Sequence, residues 1–171
     1  MELVDLYDED RLPLGRTAER YGEHLPGEHR LVVHVCLFDR SGRLLIQQRS
    51  REKRQWPERW DISVSGGVAA GETSRRAAER EVLEELGYPL DLMGRRPTVT
   101  VGFPGGFDDF YLVTVDLALS ALRLQAEEVA QVRWATLEEV LALRREGRFL
   151  AYPETFLRYL FESRETFGFP M

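Results

Sequence analysis

The chain begins with alternating apolar and polar positions, "ELVDLYDEDRLPLGR", turned by Asp8-Glu9-Asp10, a pattern that predicts a short hairpin. "YGEHLPGEH" follows as a loop, broken by Gly22, Pro26 and Gly27. The runs "RLVVHVCLFD" and "RLLIQQR" predict two antiparallel strands joined by a tight turn at Ser41-Gly42. "SREKRQWPERW" is too charged for a strand and is interrupted by Pro57, whereas "DISVSGG" reads as one short strand. From Ser74 to Leu86 the period becomes helical, with Thr73 or Ser74 as N-cap and Gly87 as the stop. "TVTVGF" and "FYLVTVDL" flank Pro104-Gly105-Gly106 as a second hairpin, and "VAQVRW" is another strand. "TLEEVLALRREG" places Leu137, Val140, Leu141 and Leu143 mostly on one side of a helix, and "PETFLRYLFESR" forms a closing helix with Pro153 near its first turn. Hairpins with one helix mid-chain and two near the end predict an α/β fold, a mixed sheet between helices.

A length of 171 residues suits one domain. Residues 1–27 are expected to supply a hairpin and loop belonging to that domain, 28–164 its main body, and 165–171 a C-terminal tail. The formal net charge of −6, from 23 basic and 29 acidic side chains, disfavours a nucleic-acid polymer as partner. Cys36 is the single cysteine, inside an apolar run, so no internal disulfide can form and a buried strand thiol is expected. No stretch approaches the roughly 18–20 apolar residues of a membrane span, and the acidic N-terminus lacks a signal-peptide layout. The expected setting is the cytoplasm, away from membranes, with a homodimer left open.

Charge is concentrated in "EREVLEELGY", residues 79–88. On a helix Glu81, Glu84 and Glu85 share a face, with Val82 and Leu86 directed toward a sheet. Ala77 and Ala78, one turn earlier, are expected near the glutamate face, leaving room for a loop or ligand. Each like-charge pair costs about 0.2–0.5 kcal/mol on an exposed helix. A cation removes that cost, and three hard oxygen donors suit Mg²⁺ or Mn²⁺. Arg80 falls beside the cluster, where it can pair with Glu72 and fix the loop "GGVAAG" against the helix.

The full spacing is Gly66, five residues, Glu72, seven residues, Arg80-Glu81-Val82, one residue, Glu84-Glu85, one residue, Gly87-Tyr88. It resembles the Nudix box, the signature of the Nudix hydrolases. With each residue type at roughly 5–7% of positions, chance agreement at seven of them is on the order of 10⁻⁸. Tyr88 departs from the usual aliphatic residue but can pack the same way. The resemblance implies an αβα sandwich over 28–164, with Glu81, Glu84, Glu85 and a backbone carbonyl at Gly66 as ligands of Mg²⁺, for which Mn²⁺ can substitute. It also implies catalytic roles for Glu84, Glu85, Glu81, Arg80 and Glu72. The implied reaction is water attack at phosphorus on a nucleoside diphosphate linked to another moiety, or a related small-molecule diphosphate. For the general base, a helix glutamate, Glu127-Glu128 and Asp108-Asp109 are all candidates. Arg49, Arg51, Lys53 and Arg54 are candidates for holding the diphosphate, and Trp56 and Trp60 are expected to anchor their loop.

The run Trp56-Pro57-Glu58-Arg59-Trp60, with Arg49 and Lys53, is similar to the branch that contains isopentenyl-diphosphate isomerase. That enzyme has a catalytic cysteine where this chain has Ser65, and a metal-binding histidine where it has Gly67. Its box is degenerate, whereas this one is intact. A hydrolase with the isomerase's loop architecture is therefore expected; an isomerase-like enzyme and a non-catalytic binding module of the same fold are the alternatives.

Overall fold

A computed structural model describes residues 2–23 and 25–165; apart from Glu165, the tail expected over 165–171 lies outside them. β1 (Leu3–Tyr7) and β2 (Pro13–Glu19) form a two-stranded antiparallel hairpin. The main sheet contains β3 (Arg30–Phe38), β4 (Leu44–Arg49), β5 (Trp60–Asp61), β6 (Val64–Gly67), β7 (Val99–Phe103), β8 (Gly106–Thr114) and β9 (Val129–Ala135). Its order is β5-β4-β3-β8-β7, with β6 paired to β3 and β9 to β4. β3 and β8 run parallel from Arg30↔Gly106 to Phe38↔Thr114, which makes the sheet mixed.

Alternation along β3 builds the layers. Leu31, Val33, Val35 and Leu37 pack with Ala77, Ala78, Val82 and Leu86 of α1 (Ser74–Leu86). Cys36 and Phe38 face the opposite core, shared with Val140, Leu141 and Leu143 of α2 (Leu137–Arg145) and with Leu157, Leu160 and Phe161 of α3 (Glu154–Glu162). Each Val, Leu or Phe side chain among them contributes about 1.5–3 kcal/mol when removed from water. Thr73 caps α1 by accepting from the Arg76 N–H at 3.3 Å, and Gly87 ends it at φ 65° in the left-handed region. A 3₁₀ turn at Leu119–Ala121 has no counterpart in the expected elements.

Two strand expectations are corrected. β3 and β4 pair at Phe38↔Leu44 alone and then diverge. "DISVSGG" forms two strands, β5 on β4 and β6 on β3, separated by Ile62-Ser63. Fully buried Ser63 explains both. Its Oγ donates to the Leu45 carbonyl at 2.6 Å and accepts from the Leu37 N–H at 2.9 Å, taking the place of a cross-strand bond where the strands part.

The hairpin braces the loop before α1. The Leu3 carbonyl accepts from the Ala70 N–H at 2.9 Å, and Asp5 Oδ2 accepts from the Gly71 N–H at 2.7 Å. Its tip is held by Arg11, whose guanidinium pairs with the fully buried Asp109 of β8. Thr100 donates to the same carboxylate at 2.6 Å.

Candidate functional site

α1 turns Ala77, Ala78, Glu81, Val82, Glu85 and Leu86 inward. The expected exposed glutamate face is therefore only partly realised. Glu81 and Glu85 are buried, and Glu84 stays at the rim. The alanines do not leave room for a ligand; both are core residues packed against the sheet.

Arg80 organises the carboxylates around it. Nε and Nη2 donate to the two oxygens of Glu72 at 3.0 and 2.9 Å, a bidentate pair. Nη2 also donates to the Gly67 carbonyl at 3.0 Å, while Nη1 reaches Glu81 at 2.9 Å and Glu84 at 3.0 Å. All five guanidinium hydrogens thus have acceptors. Glu72 Oε2 accepts in addition from the Ala69 N–H at 3.2 Å, so helix and glycine loop share one anchor. The Glu72 bond is the largest of the influences that raise the Arg80 pKa above its ordinary value.

Glu81 occupies space that only a glycine at position 66 leaves open. A Cβ there would lie 2.1 Å from Glu81 Oε1. Burial pushes the Glu81 carboxyl pKa up, against the opposing charge of Arg80. Glu85 is pushed up to about 8, first by burial and then by the charge of Glu81; a 3.1 Å bond from Gln47 Nε2 and the charge of Lys53 act against the rise. Among the described residues no three His, Cys, Asp or Glu side chains converge on one point. Arg80 holds oxygens of Glu81 and Glu84, and Gln47 holds one of Glu85. The donor set nevertheless fits a hard divalent cation: two buried carboxylates whose charged forms burial disfavours in spite of the nearby Arg80 and Lys53, with a third at the rim.

These carboxylates border a cleft at the place where β3 and β4 have separated. One lobe, about 220 Å³, is lined by Arg80, Glu81, Glu84, Glu85, Lys53 and Glu128. A larger lobe, about 460 Å³, includes Arg20, Arg30, Arg49, Lys53, Arg54 and Glu128. Arg20, Tyr21, Lys53, Ser65 and Glu128 belong to both.

The basic residues singled out in the sequence meet different fates. Lys53 faces both lobes and is paired with Glu128. Arg49 is occupied by its own loop, donating to the Gln55 carbonyl at 3.0–3.1 Å and lying 3.6 Å from buried Asp61. Arg51 is exposed and does not line either lobe. Trp60 is buried and anchors the loop, but Trp56 is 57% exposed, at φ 53°, and does not. Of the candidate bases, Asp109 is committed to Arg11 and Thr100, and Asp108 lies against His34; both are in β8, not in a loop. Sequence reasoning passed over Arg20, Tyr21 and Arg30 as cleft residues. Arg20 donates to Glu2 at 2.8 Å, lies 5.2 Å from the Tyr21 ring centroid and packs over Gly67. Their only signal was cationic and aromatic character near the predicted hairpin.

The NUDIX domain family model matches residues 28–155. The chain belongs to the Nudix family. It is 49% identical over 164 residues to an uncharacterized Nudix hydrolase of Listeria monocytogenes, covering 96% of each chain. An isopentenyl-diphosphate Delta-isomerase of Streptomyces avermitilis is 34% identical over 161 residues, 91% of this chain and 81% of that one. A crystal structure of a Deinococcus radiodurans protein superposes with a TM-score of 0.75 at 26% identity, covering 93% of this chain and 99% of that one. The architecture is the α/β Nudix fold, a mixed sheet with three helices. Among the described residues no helix is long and apolar enough to cross a membrane.

Proposed function

We propose that this Nudix protein is a metal-dependent diphosphohydrolase that cleaves a nucleoside diphosphate linked to another moiety, or a related small diphosphate. The observation behind this reading is the pairing of buried Glu81 and Glu85 on α1 with a cleft lined by Arg20, Arg30, Lys53 and Arg54. Glu81, Glu84 and Glu85, with the Gly66 carbonyl, would hold Mg²⁺ or Mn²⁺. Such a cation, when bound, neutralises phosphate charge and lowers the pKa of a coordinated water. Arg80 and Glu72 keep the glycine loop and the carboxylates in place. Lys53, together with Arg20, Arg30 and Arg54, offers donors to the outer phosphate oxygens. Glu128, facing both lobes and steadied by Lys53, is the proposed base that accepts a proton from the attacking water.

The isomerase relative motivates a second reading, in which a prenyl diphosphate is protonated and deprotonated at carbon. The thiol absent at Ser65 argues against it, whereas the basic cleft suits the diphosphate of either substrate. A panel of nucleotide and prenyl diphosphates with Mg²⁺, run in H₂¹⁸O and separately in D₂O, distinguishes the two. The expected result is ¹⁸O in a released phosphate product and no deuterium in isopentenyl diphosphate. Deuterium incorporation that is lost in Ser65→Ala would replace the hydrolase reading with the isomerase one.

A further inference from the structure

The wall of the cleft contains a hydrogen-bonded chain outside the metal-binding face. His34 of β3 is the register partner of Ser65 in antiparallel β6 and of Phe110 in parallel β8, which places Asp108 one step along the same face. His34 Nδ1 lies 2.9 Å from Ser65 Oγ, and Nε2 lies 3.0 Å from Asp108 Oδ1. The imidazole stacks on Phe110 with centroids 4.4 Å apart and planes 12° apart, which holds both nitrogens on their partners. His34 is buried, whereas half-buried Ser65 opens to both lobes of the cleft.

The partners determine where the hydrogens go. A carboxylate only accepts, so Asp108 requires a hydrogen on Nε2 whether the ring is neutral or charged. In the neutral ring Nδ1 is then bare and accepts the Ser65 hydroxyl hydrogen, leaving Ser65 lone pairs toward the cleft. In the charged ring Nδ1 donates to Ser65 Oγ, and the hydroxyl hydrogen is free to point into the cleft. A phosphate oxygen is an acceptor and meets a donor only in the second arrangement. Protonating His34 therefore reverses what Ser65 offers to an anion.

We propose that Ser65, His34 and Asp108 form a proton-coupled phosphate-binding element, in which Ser65 donates to an oxygen of the bound diphosphate and His34 takes up one solvent proton as that anion binds. No covalent bond is made or broken; the proton ends on Nδ1. Charged and titratable groups face the ring from several elements. Asp108 of β8 and Asp61 of β5 both face it, Arg49 of β4 offsets Asp61 in part, and Tyr152 before α3 donates to Asp61 at 3.1 Å. Buried Cys36, also on β3, stays a neutral thiol because burial and Asp61 push its pKa up. By linkage, whatever favours the protonated ring favours the anion, and the reverse.

The inference rests on the diphosphate reading and has its own readout. The chain has three histidines, so the His34 ring nitrogens can be assigned by long-range ¹H–¹⁵N NMR with His34→Gln as control. Without ligand, the neutral ring is expected as the Nε2–H tautomer. With inorganic pyrophosphate and Mg²⁺, its protonation midpoint should rise by about one pH unit, a tenfold preference of the anion for the charged ring. Ser65→Ala should abolish this rise, Ser65→Thr should keep it, and Asp108→Asn should reduce it. Hydrolysis of diphosphates with an unmoved His34 midpoint would overturn this inference alone. A protein that neither binds pyrophosphate nor hydrolyses diphosphates would overturn both readings. An equal rise in Ser65→Ala would remove Ser65 from the element and overturn the proposal.

Discussion

Gly66 and Glu81 fit together so closely that a Cβ on the glycine would stand 2.0 Å from the glutamate's carboxyl carbon. The missing side chain on β6 is what admits a carboxylate from α1. Gly66→Ala should therefore displace Glu81 while leaving the helix in place, and lower divalent-metal affinity and turnover about 10- to 100-fold. Metal titration with circular dichroism as a fold control tests this; unchanged affinity in a folded variant would contradict it.

Glu84→Gln and Glu85→Gln should each reduce kcat by orders of magnitude, and chelator should abolish activity until Mg²⁺ or Mn²⁺ is restored. Their stabilities should differ, because Glu84 is at the rim and Glu85 is 4% exposed. Glu84→Gln should melt close to the parent. Near-normal turnover in both variants would remove these glutamates from the metal site.

The pH dependence of stability should report Glu85. Its carboxyl has an ordinary value of 4.5 and is pushed up to about 8 in the fold. Below the lower value both folded and unfolded chains are protonated there. Between the two, the unfolded chain releases the proton and the folded one retains it, so stability falls as pH rises. In chelator, the melting temperature should drop from about pH 5 to about pH 8, and less steeply in Glu85→Gln. Excess Mg²⁺ should flatten the parent's slope. Identical slopes for parent and variant in chelator would refute the burial argument.

The bidentate Arg80–Glu72 pair should appear in a double-mutant cycle of Glu72→Gln and Arg80→Ala, with an interaction energy of about 1–3 kcal/mol in transition-state stabilisation. Strict additivity would mean that loop and helix are held independently.

Much of this site was legible because it is local. The repeat that places Glu81, Glu84 and Glu85 together spans little more than one helical turn, and both ends of α1 are marked by their own residues, Thr73 and Gly87. That Val82 and Leu86 meet the sheet was legible; how far the buried side extends around the helix was not, since helical spacing gives angles and no partner. Glu81 and Glu85 therefore read as exposed, although they share a stripe with Ala78 and Val82. Ser65 and His34 meet through cross-strand register over 31 residues, and Arg11 reaches Asp109 across 98. No periodicity within one element contains either pairing. The early parting of β3 and β4 depended on the buried hydroxyl of Ser63, a residue with no distinctive pattern around it.

Arg11→Ala should destabilise the protein by about 3 kcal/mol, because it strands the Asp109 carboxylate without its cation. Chemical denaturation of this variant beside Arg11→Leu/Asp109→Leu provides the check. The double variant should recover most of the loss, and equal destabilisation of the two would contradict a charge origin.

Under the proposed function, that same latch separates selectivity from reaction along the chain. Arg20 and Tyr21 reach the cleft from the end of a hairpin that hangs on Asp109 and on the loop at Ala70 and Gly71, while the acidic cluster belongs to α1. A grafted hairpin that kept Arg11 and the β1 contacts could alter which molecules enter without rebuilding the machinery that acts on them. Bulky N-terminal fusions should accordingly distort substrate preference before they impair turnover, a practical hazard for anyone screening this protein for activity with a tag at that end.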